Sequence, residues 1–94
     1  MSHWLERTEL LIGKEALDKL HLAHVLVVGL GGVGSYAAET LVRAGIGQIT
    51  IIDGDAVDPT NKNRQIQALD STVGQNKAYV LRDRFLDINS ALNI

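Results

Sequence analysis

Cysteine is missing altogether from the 94-residue chain, which excludes a disulfide framework, a thiolate metal site and a cysteine nucleophile of its own. A dominant sign of charge is missing too, and a net charge of −2 gives no general pull toward nucleic acid. No apolar run approaches the roughly 20 residues needed to cross a bilayer. Glu6, Arg7 and Glu9 also interrupt the stretch where a signal peptide would be continuously apolar. The expectation is a cytoplasmic protein with no membrane contact. Proline occurs once, at Pro59, and no internal repeat is present. His3, His21 and His24 have no carboxylate at ligand spacing, so they read as solvated or capping groups and no metal site is expected of them. What is left, 46% hydrophobic, has the composition of one small globular domain at most.

Within it, Val25-Leu26-Val27-Val28-Gly29-Leu30-Gly31-Gly32-Val33-Gly34-Ser35 is an apolar run that ends in glycines and opens a helix. Glycines at 29, 31 and 34 permit a tight turn and close backbone approach, while the following helix points free N–H groups and its positive dipole end at an anion. A side chain at Gly31 would occupy a phosphate's space. Val25 to Val28 reads as a strand, and Ser35 to Ala44 places apolar residues at helical spacing. A second strand, Ile49-Thr50-Ile51-Ile52, ends at Asp53. This is a βαβ unit with an acid about 20 residues past the last loop glycine, where a ribose hydroxyl is held in dinucleotide sites. The bland alternative is that Asp53 caps a turn with Gly54.

Before this unit, Glu9 to Leu22 carries apolar residues in a helical pattern bent around Gly13, so residues 1–23 form a helical preface. Gly45-Ile46-Gly47 turns tightly into the second strand. The connection from Gly54 to Val73 is long, as functional or disordered loops are. Helical spacing returns from Gln75 to Ile88, and Asn93-Ile94 reads as the start of a third strand. The fold class is therefore α/β, a Rossmann-like three-layer parallel sheet of which residues 1–94 supply an incomplete N-terminal βαβα part. Two strands leave edges and apolar faces open, so self-association or further sequence is expected to cover them.

The long loop carries Asp55, Asn61, Lys62, Asn63, Arg64 and Gln65, and the next helix opens with Lys77. A pyrophosphate on a helix N-terminus is already half neutralised, whereas a triphosphate losing pyrophosphate needs added fixed cations. Arg64 and Lys77 fit that need; Lys62 reads as a solvated surface charge.

The ordered set Gly29-Leu30-Gly31-Gly32-Val33-Gly34, Asp53-Gly54-Asp55, Asn61-Lys62-Asn63-Arg64-Gln65 and Val73-Gly74-Gln75-Asn76-Lys77 resembles the ubiquitin-activating-enzyme-like (ThiF/MoeB) adenylating superfamily, from about Arg7 to the end of the chain. Arg7 to Gly13 and Asn61 to Gln65 look most like its tRNA threonylcarbamoyladenosine dehydratase branch. The resemblance implies ATP-dependent activation of a carboxylate by attack on the α-phosphate, releasing pyrophosphate and leaving an acyl-adenylate. In the dehydratase branch the carboxylate belongs to a modified adenosine of tRNA and then closes into a ring.

Carried over by the resemblance, Gly29, Gly31, Gly32 and Gly34 form the phosphate loop, Asp53 takes the ribose hydroxyls, and Asn61, Arg64 and Lys77 contact phosphates. Arg64 and Lys77 are the catalytic pair, Gln65 and Asp55 support the site, and Asp55 stands near magnesium. Arg7 resembles an arginine offered to a partner subunit's site, with helix packing or surface charge as an equal reading. The family's main magnesium-binding aspartate comes later than these residues, and a homodimer is implied. The alternatives are a sulfur-carrier-protein adenylyltransferase, whose acceptor is a carrier-protein C-terminus, and a nicotinamide- or flavin-binding oxidoreductase module.

Overall fold

The β-branched runs form two strands, β1 (His24–Val28) and β2 (Gln48–Ile52), paired in parallel with His24 opposite Gln48 and Val28 opposite Ile52. The computed structural model describes residues 3–94, with side chains from Trp4 onward. The first two residues of the expected preface, and the side chain of His3, therefore lie outside the described residues. The preface itself is two helices, α1 (Glu6–Ile12) and α2 (Lys14–Leu22), after a single 3₁₀ turn at His3–Leu5. They are separated at Gly13, whose φ of +87° breaks the helix as its place in the sequence implies.

Helix α3 (Gly32–Arg43) crosses from β1 to β2, and α4 (Lys77–Ile88) follows the long connection. Buried Ser35, Ala38, Glu39 and Val42 recur on α3 at intervals of three and four, which puts them on one stripe. On α4, Leu81 and Phe85 are buried one turn apart. Both helices pack on the same face of the sheet: Leu30, Ala38, Val42, Ile46, Ile49, Leu81, Phe85 and Leu92 form the core, with Val25, Val27 and Ile51 against it. Burying each of the large side chains contributes about 1.5–3 kcal/mol. Two of the three layers are thus present. The other sheet face is open, with Leu26 57% exposed, Val28 69% and Ile52 50%.

The last residues add a single parallel bridge beside β2. Asn93 bridges Gln48 in parallel, its carbonyl accepting from Ile49 N–H at 2.9 Å and its N–H donating to the Gly47 carbonyl at 3.1 Å. The connection after β2 is ordered by the 3₁₀ helix Pro59–Asn63. It is closed by an antiparallel bridge between Ala56 and Asn76. The preface packs at the amino ends of the strands, where Leu5 and Leu17 close on Gly45 and the Gly47 N–H donates to the Leu20 carbonyl at 3.0 Å. Among the described residues no helix is long and apolar enough to cross a membrane.

A polar cluster around buried Glu39 joins the two core helices. Glu39 of α3 accepts from Arg43 Nε at 3.1 Å and from the guanidinium of Arg84 on α4, through Nε and, at 3.3 Å, Nη2. Burial works against ionisation of Glu39, but the hydrogen bonds and charges of Arg84 and Arg43 outweigh it and hold the carboxyl below the usual range. Glu39→Gln keeps the shape and removes the charge, and is expected to lower stability by about 1–2 kcal/mol at neutral pH. A carboxyl whose folded value is depressed stabilises fully above its unfolded value, and that stability is lost as pH falls through the folded value. Thermal denaturation should therefore show wild type and variant converging in acid and separating toward neutrality; equal stability at neutral pH would contradict this role.

Candidate functional site

At the carboxyl end of β1 the chain turns at Gly29, with φ +87°, and enters α3 three residues later. The Gly29 N–H donates to the Ile52 carbonyl at 2.8 Å, carrying the sheet pairing into the loop. The next residue is held through both of its flanking peptides. Leu30 N–H donates to Asp53 Oδ2 at 2.7 Å, and the Leu30 carbonyl accepts from Gln67 Nε2 at 2.7 Å. The Leu30 side chain is itself in the core. Gly31 then stands before α3, and the α3 N-terminus faces the open end of the sheet.

The four loop glycines differ in what requires them. A Cβ on Gly34 would lie 1.8 Å from the Gly29 carbonyl oxygen, so close helix–loop packing demands glycine there. A Cβ on Gly31 would meet only Gln65 Nε2, at 3.7 Å, and one on Gly32 only the Arg64 stem and carbonyl, at 3.5 Å and beyond. The protein leaves space at both, and Gly32 is helical, where alanine is intrinsically favoured by about 0.5–1 kcal/mol. Bare backbone at these two positions suits the close approach of an anion to the helix terminus.

Asp53 holds this loop to the end of β2. Its Oδ1 accepts from Asp55 N–H at 2.8 Å while Oδ2 accepts from Leu30. Asp53 thus caps its turn, as the bland alternative has it, and in addition binds the loop. Burial pushes its carboxyl up, but the Leu30 and Asp55 N–H groups and the charge of Lys77 prevail, and it stays ionised below the usual range. An ionised carboxylate offers about four acceptor sites, so two bonds leave room for hydroxyl donors. Asp55 is exposed, and its carbonyl accepts from Lys77 N–H at 3.0 Å.

That bond brings the start of α4 against Asp53. Asn76 caps the helix, accepting from Ala78 N–H at 2.9 Å and Tyr79 N–H at 3.3 Å, and reaches the Asp53 carbonyl with Nδ2 at 3.4 Å. Lys77, 7% exposed, follows at the first helical position. A cation there opposes the helix dipole, and a buried cation is costly unless paired. Lys77 has no ion pair among the described residues, although its charge bears on Asp53 and Asp58.

Arg64 lies over the opening of α3, its stem against Gly32. Its guanidinium donates to Asn63 Oδ1 at 2.9 Å and to the Thr60 carbonyl at 3.3 Å, with no carboxylate partner among the described residues. Asn61 is buried, and its Oδ1 accepts from Asp58 N–H at 2.8 Å in a reciprocal cap of the 3₁₀ helix, so its first duty is structural. Gln65 is buried beside Gly31. Lys62 pairs with exposed Asp70, as a surface charge would. Arg7 is exposed on α1, in the preface at the opposite end of the strands, and one chain does not bring it to this group.

The structure thus gathers the glycine loop, Asp53, Asp55, Arg64, Gln65 and Lys77 around an open cradle at the carboxyl edge of the sheet. A separate surface cleft is lined by Trp4, Asp87 and the arginines that bind Glu39. Gln67 is the residue that pattern reading passed over. Its only sequence signal is a second glutamine two positions after Gln65, which points to no particular chemistry.

Known proteins are similar to this chain in sequence and fold. The ThiF family matches residues 5–94. The tRNA threonylcarbamoyladenosine dehydratase of Bacillus subtilis strain 168 is 54% identical over 89 residues, covering 95% of this chain and 35% of that protein. The molybdopterin-synthase adenylyltransferase of Salmonella typhimurium strain LT2 is 46% identical over 82 residues, 87% of this chain and 32% of that protein. The crystal structure of E. coli tRNA N6-threonylcarbamoyladenosine dehydratase, TcdA, in complex with ATP is similar with a TM-score of 0.93 at 49% identity, over 99% of this chain and 40% of that one. The chain spans about a third of the length of the curated relatives it matches.

The unequal glycines make a direct test of the loop. Gly34→Ala is expected to destabilise by about 3 kcal/mol, the upper end of overpacking costs. Gly32→Ala should be neutral or raise stability by about 0.5–1 kcal/mol. Chemical denaturation of both variants checks the contrast, and equal losses would show that the cradle's bare backbone is needed for folding alone.

Proposed function

The chain belongs to the ThiF family, and from that membership and the cradle we propose that it is the ATP-binding part of an adenylating enzyme. The observation that carries the reading is Lys77, a largely buried residue whose ammonium makes no ion pair among the described residues, at the positive end of α4 with its charge bearing on Asp53. Such a group is stabilised by an anion that arrives from outside. Arg64 lies over the α3 N-terminus beside the bare backbone of Gly32, and Lys77 bears on Asp53 at the other side of the loop, which suits a triphosphate.

In this assignment Asp53 accepts from the ribose hydroxyls, the loop N–H groups hold the α- and β-phosphates, and Arg64 and Lys77 hold the β- and γ-phosphates. A carboxylate oxygen of the acceptor forms a bond to the α-phosphorus as the bond from that phosphorus to the bridging oxygen breaks. The electron pair leaves with pyrophosphate. Arg64 and Lys77 stabilise that growing charge, each worth a few kcal/mol when well placed. Asn61 shapes the loop that presents Arg64, and Gln65 offers an N–H donor next to Gly31. Magnesium would travel on the triphosphate. Asp55 is the exposed carboxylate nearest to serve it, and no group of three His, Cys, Asp or Glu capable of holding a metal occurs among the described residues.

The acceptor we favour is the threonylcarbamoyl carboxylate on a tRNA adenosine, because identity is higher to the dehydratase than to the adenylyltransferase. The second reading is the C-terminal carboxylate of a ubiquitin-like sulfur-carrier protein, supported by that adenylyltransferase similarity. We further propose cytoplasmic location and assembly as a homodimer; the apolar sheet face at Leu26, Val28 and Ile52 supports self-association. Arg7 remains a candidate for contact across such a dimer. A nicotinamide or flavin module would leave Arg64 and Lys77 without a partner.

Calorimetric titration of the chain with magnesium-ATP, with NAD in parallel, tests the reading. ATP should bind, and Arg64→Ala and Lys77→Ala should each weaken it by about 10- to 100-fold, the worth of a hydrogen bond to a charged group. NAD binding that is indifferent to Arg64 would overturn the assignment.

A further inference from the structure

Gln67 is 1% exposed, and its side-chain amide is used on one side only. Nε2 donates to the Leu30 carbonyl at 2.7 Å and to Gln65 Oε1 at 3.1 Å, while its own Oε1 is buried without a donor. The orientation of this amide is determined by chemistry. A backbone carbonyl only accepts, so the atom facing Leu30 must be the N–H end. The unmatched oxygen is a net cost to the fold, and a methionine or leucine of similar volume would avoid it. What the amide supplies in return is directed at two members of the cradle.

The first is the backbone of Leu30. Asp53 already holds its N–H, in the peptide plane before Leu30, and Gln67 holds its carbonyl, in the plane that leads into Gly31, so the two planes flanking Leu30 are each held. The second is Gln65. With its Oε1 bound to Gln67, the side chain must turn its Nε2 the other way, and Nε2 is the atom that a Cβ on Gly31 would meet. Gln65 Nε2 has no acceptor among the described residues. One buried amide therefore sets the loop plane and aims a free donor at the space over Gly31.

We propose that Gln67 is a positioning residue of the phosphate site, acting through Leu30 and Gln65 and not by touching the nucleotide. This deepens the ATP reading above and rests on it. It makes the phosphates, not the adenosine, sensitive to a residue that lies beneath the cradle.

The experiment combines hydrogen exchange by NMR with ligand titration on the 94-residue chain. In wild type the two side-chain amide protons of Gln67 should exchange at least about tenfold more slowly than those of exposed Gln75, since both are bonded and buried. Equal rates would overturn the proposal without any variant. In Gln67→Met the Leu30 amide should exchange about tenfold faster while the Phe85 amide of α4 is unchanged. Magnesium-ATP affinity should fall about tenfold with adenosine affinity retained, and Gln65→Met/Gln67→Met should lose no more than the worse single variant. A merely structural role would weaken both ligands together, and additive losses would show that Gln67 does not act through Gln65; either outcome overturns the proposal. Wild type that binds neither ATP nor adenosine would overturn the nucleotide reading and the positioning role with it, whereas wild type binding ATP as tightly as Gln67→Met would overturn Gln67 alone.

Discussion

The bond from the Leu30 N–H to the Asp53 carboxylate connects the two halves of this molecule. It joins the loop after β1 to the end of β2 at the point where both strands stop. Leu30 makes that junction firm because its side chain is in the core while its peptide lies in the loop. The same carboxylate caps the turn to Asp55, whose carbonyl receives the Lys77 N–H. Loop, acid and α4 N-terminus are therefore one hydrogen-bonded unit. An isolated glycine loop would have to be ordered at the moment of binding; here the ordering is done by folding, which is the physical content of preorganisation.

Around that unit the polar groups divide by whether they are satisfied within the chain. Glu39, Asn61, Asp58 and Lys62 have partners and serve the fold. Among the described residues Lys77 and Arg64 make no ion pair and Gln65 Nε2 has no acceptor, and all three border Gly31, Gly32 or Asp53. Cations and donors left over on the inner side of a cradle, with helix N-termini behind them, describe an anion site by what the protein itself does not neutralise. The apolar side of the sheet repeats the pattern in a different chemistry. α3 and α4 cover one face, and Leu26, Val28 and Ile52 are left on the other.

Much of this was legible along the chain, because the relevant signals are local. A β-branched run, three spaced glycines and an amphipathic stretch describe β1, the loop and α3 through short-range sterics alone. Asp53 was legible because its separation from the loop is that of a βαβ crossover. Boundaries moved where a neighbour intervened. α3 begins at Gly32 and not at Ser35, since the loop's last glycines already have helical geometry, and α4 begins at Lys77 because the Asn76 side chain caps it. Asn61 carries a phosphate role by resemblance; its oxygen is committed to the Asp58 cap, a bond visible only once the 3₁₀ turn is formed, which leaves its Nδ2 as the donor such a role would use.

Gln67 and Glu39 could not be found by any periodicity. Glu39 looks like an ordinary helix-surface acid until Arg84, far along the chain, arrives against it on α4. Gln67 looks like a polar loop residue until the core forms over it and leaves Leu30 and Gln65 as its partners. Strand type, crossover order, the phosphate loop and family membership follow from residue patterns within short windows, where steric preference and spacing suffice. Which glycine is packed and which is bare, which lysine is left unpaired, and which amide holds the loop depend on contacts between segments distant in sequence. Those contacts exist only when hydrophobic burial has brought α4 and the long connection onto the same end of the sheet.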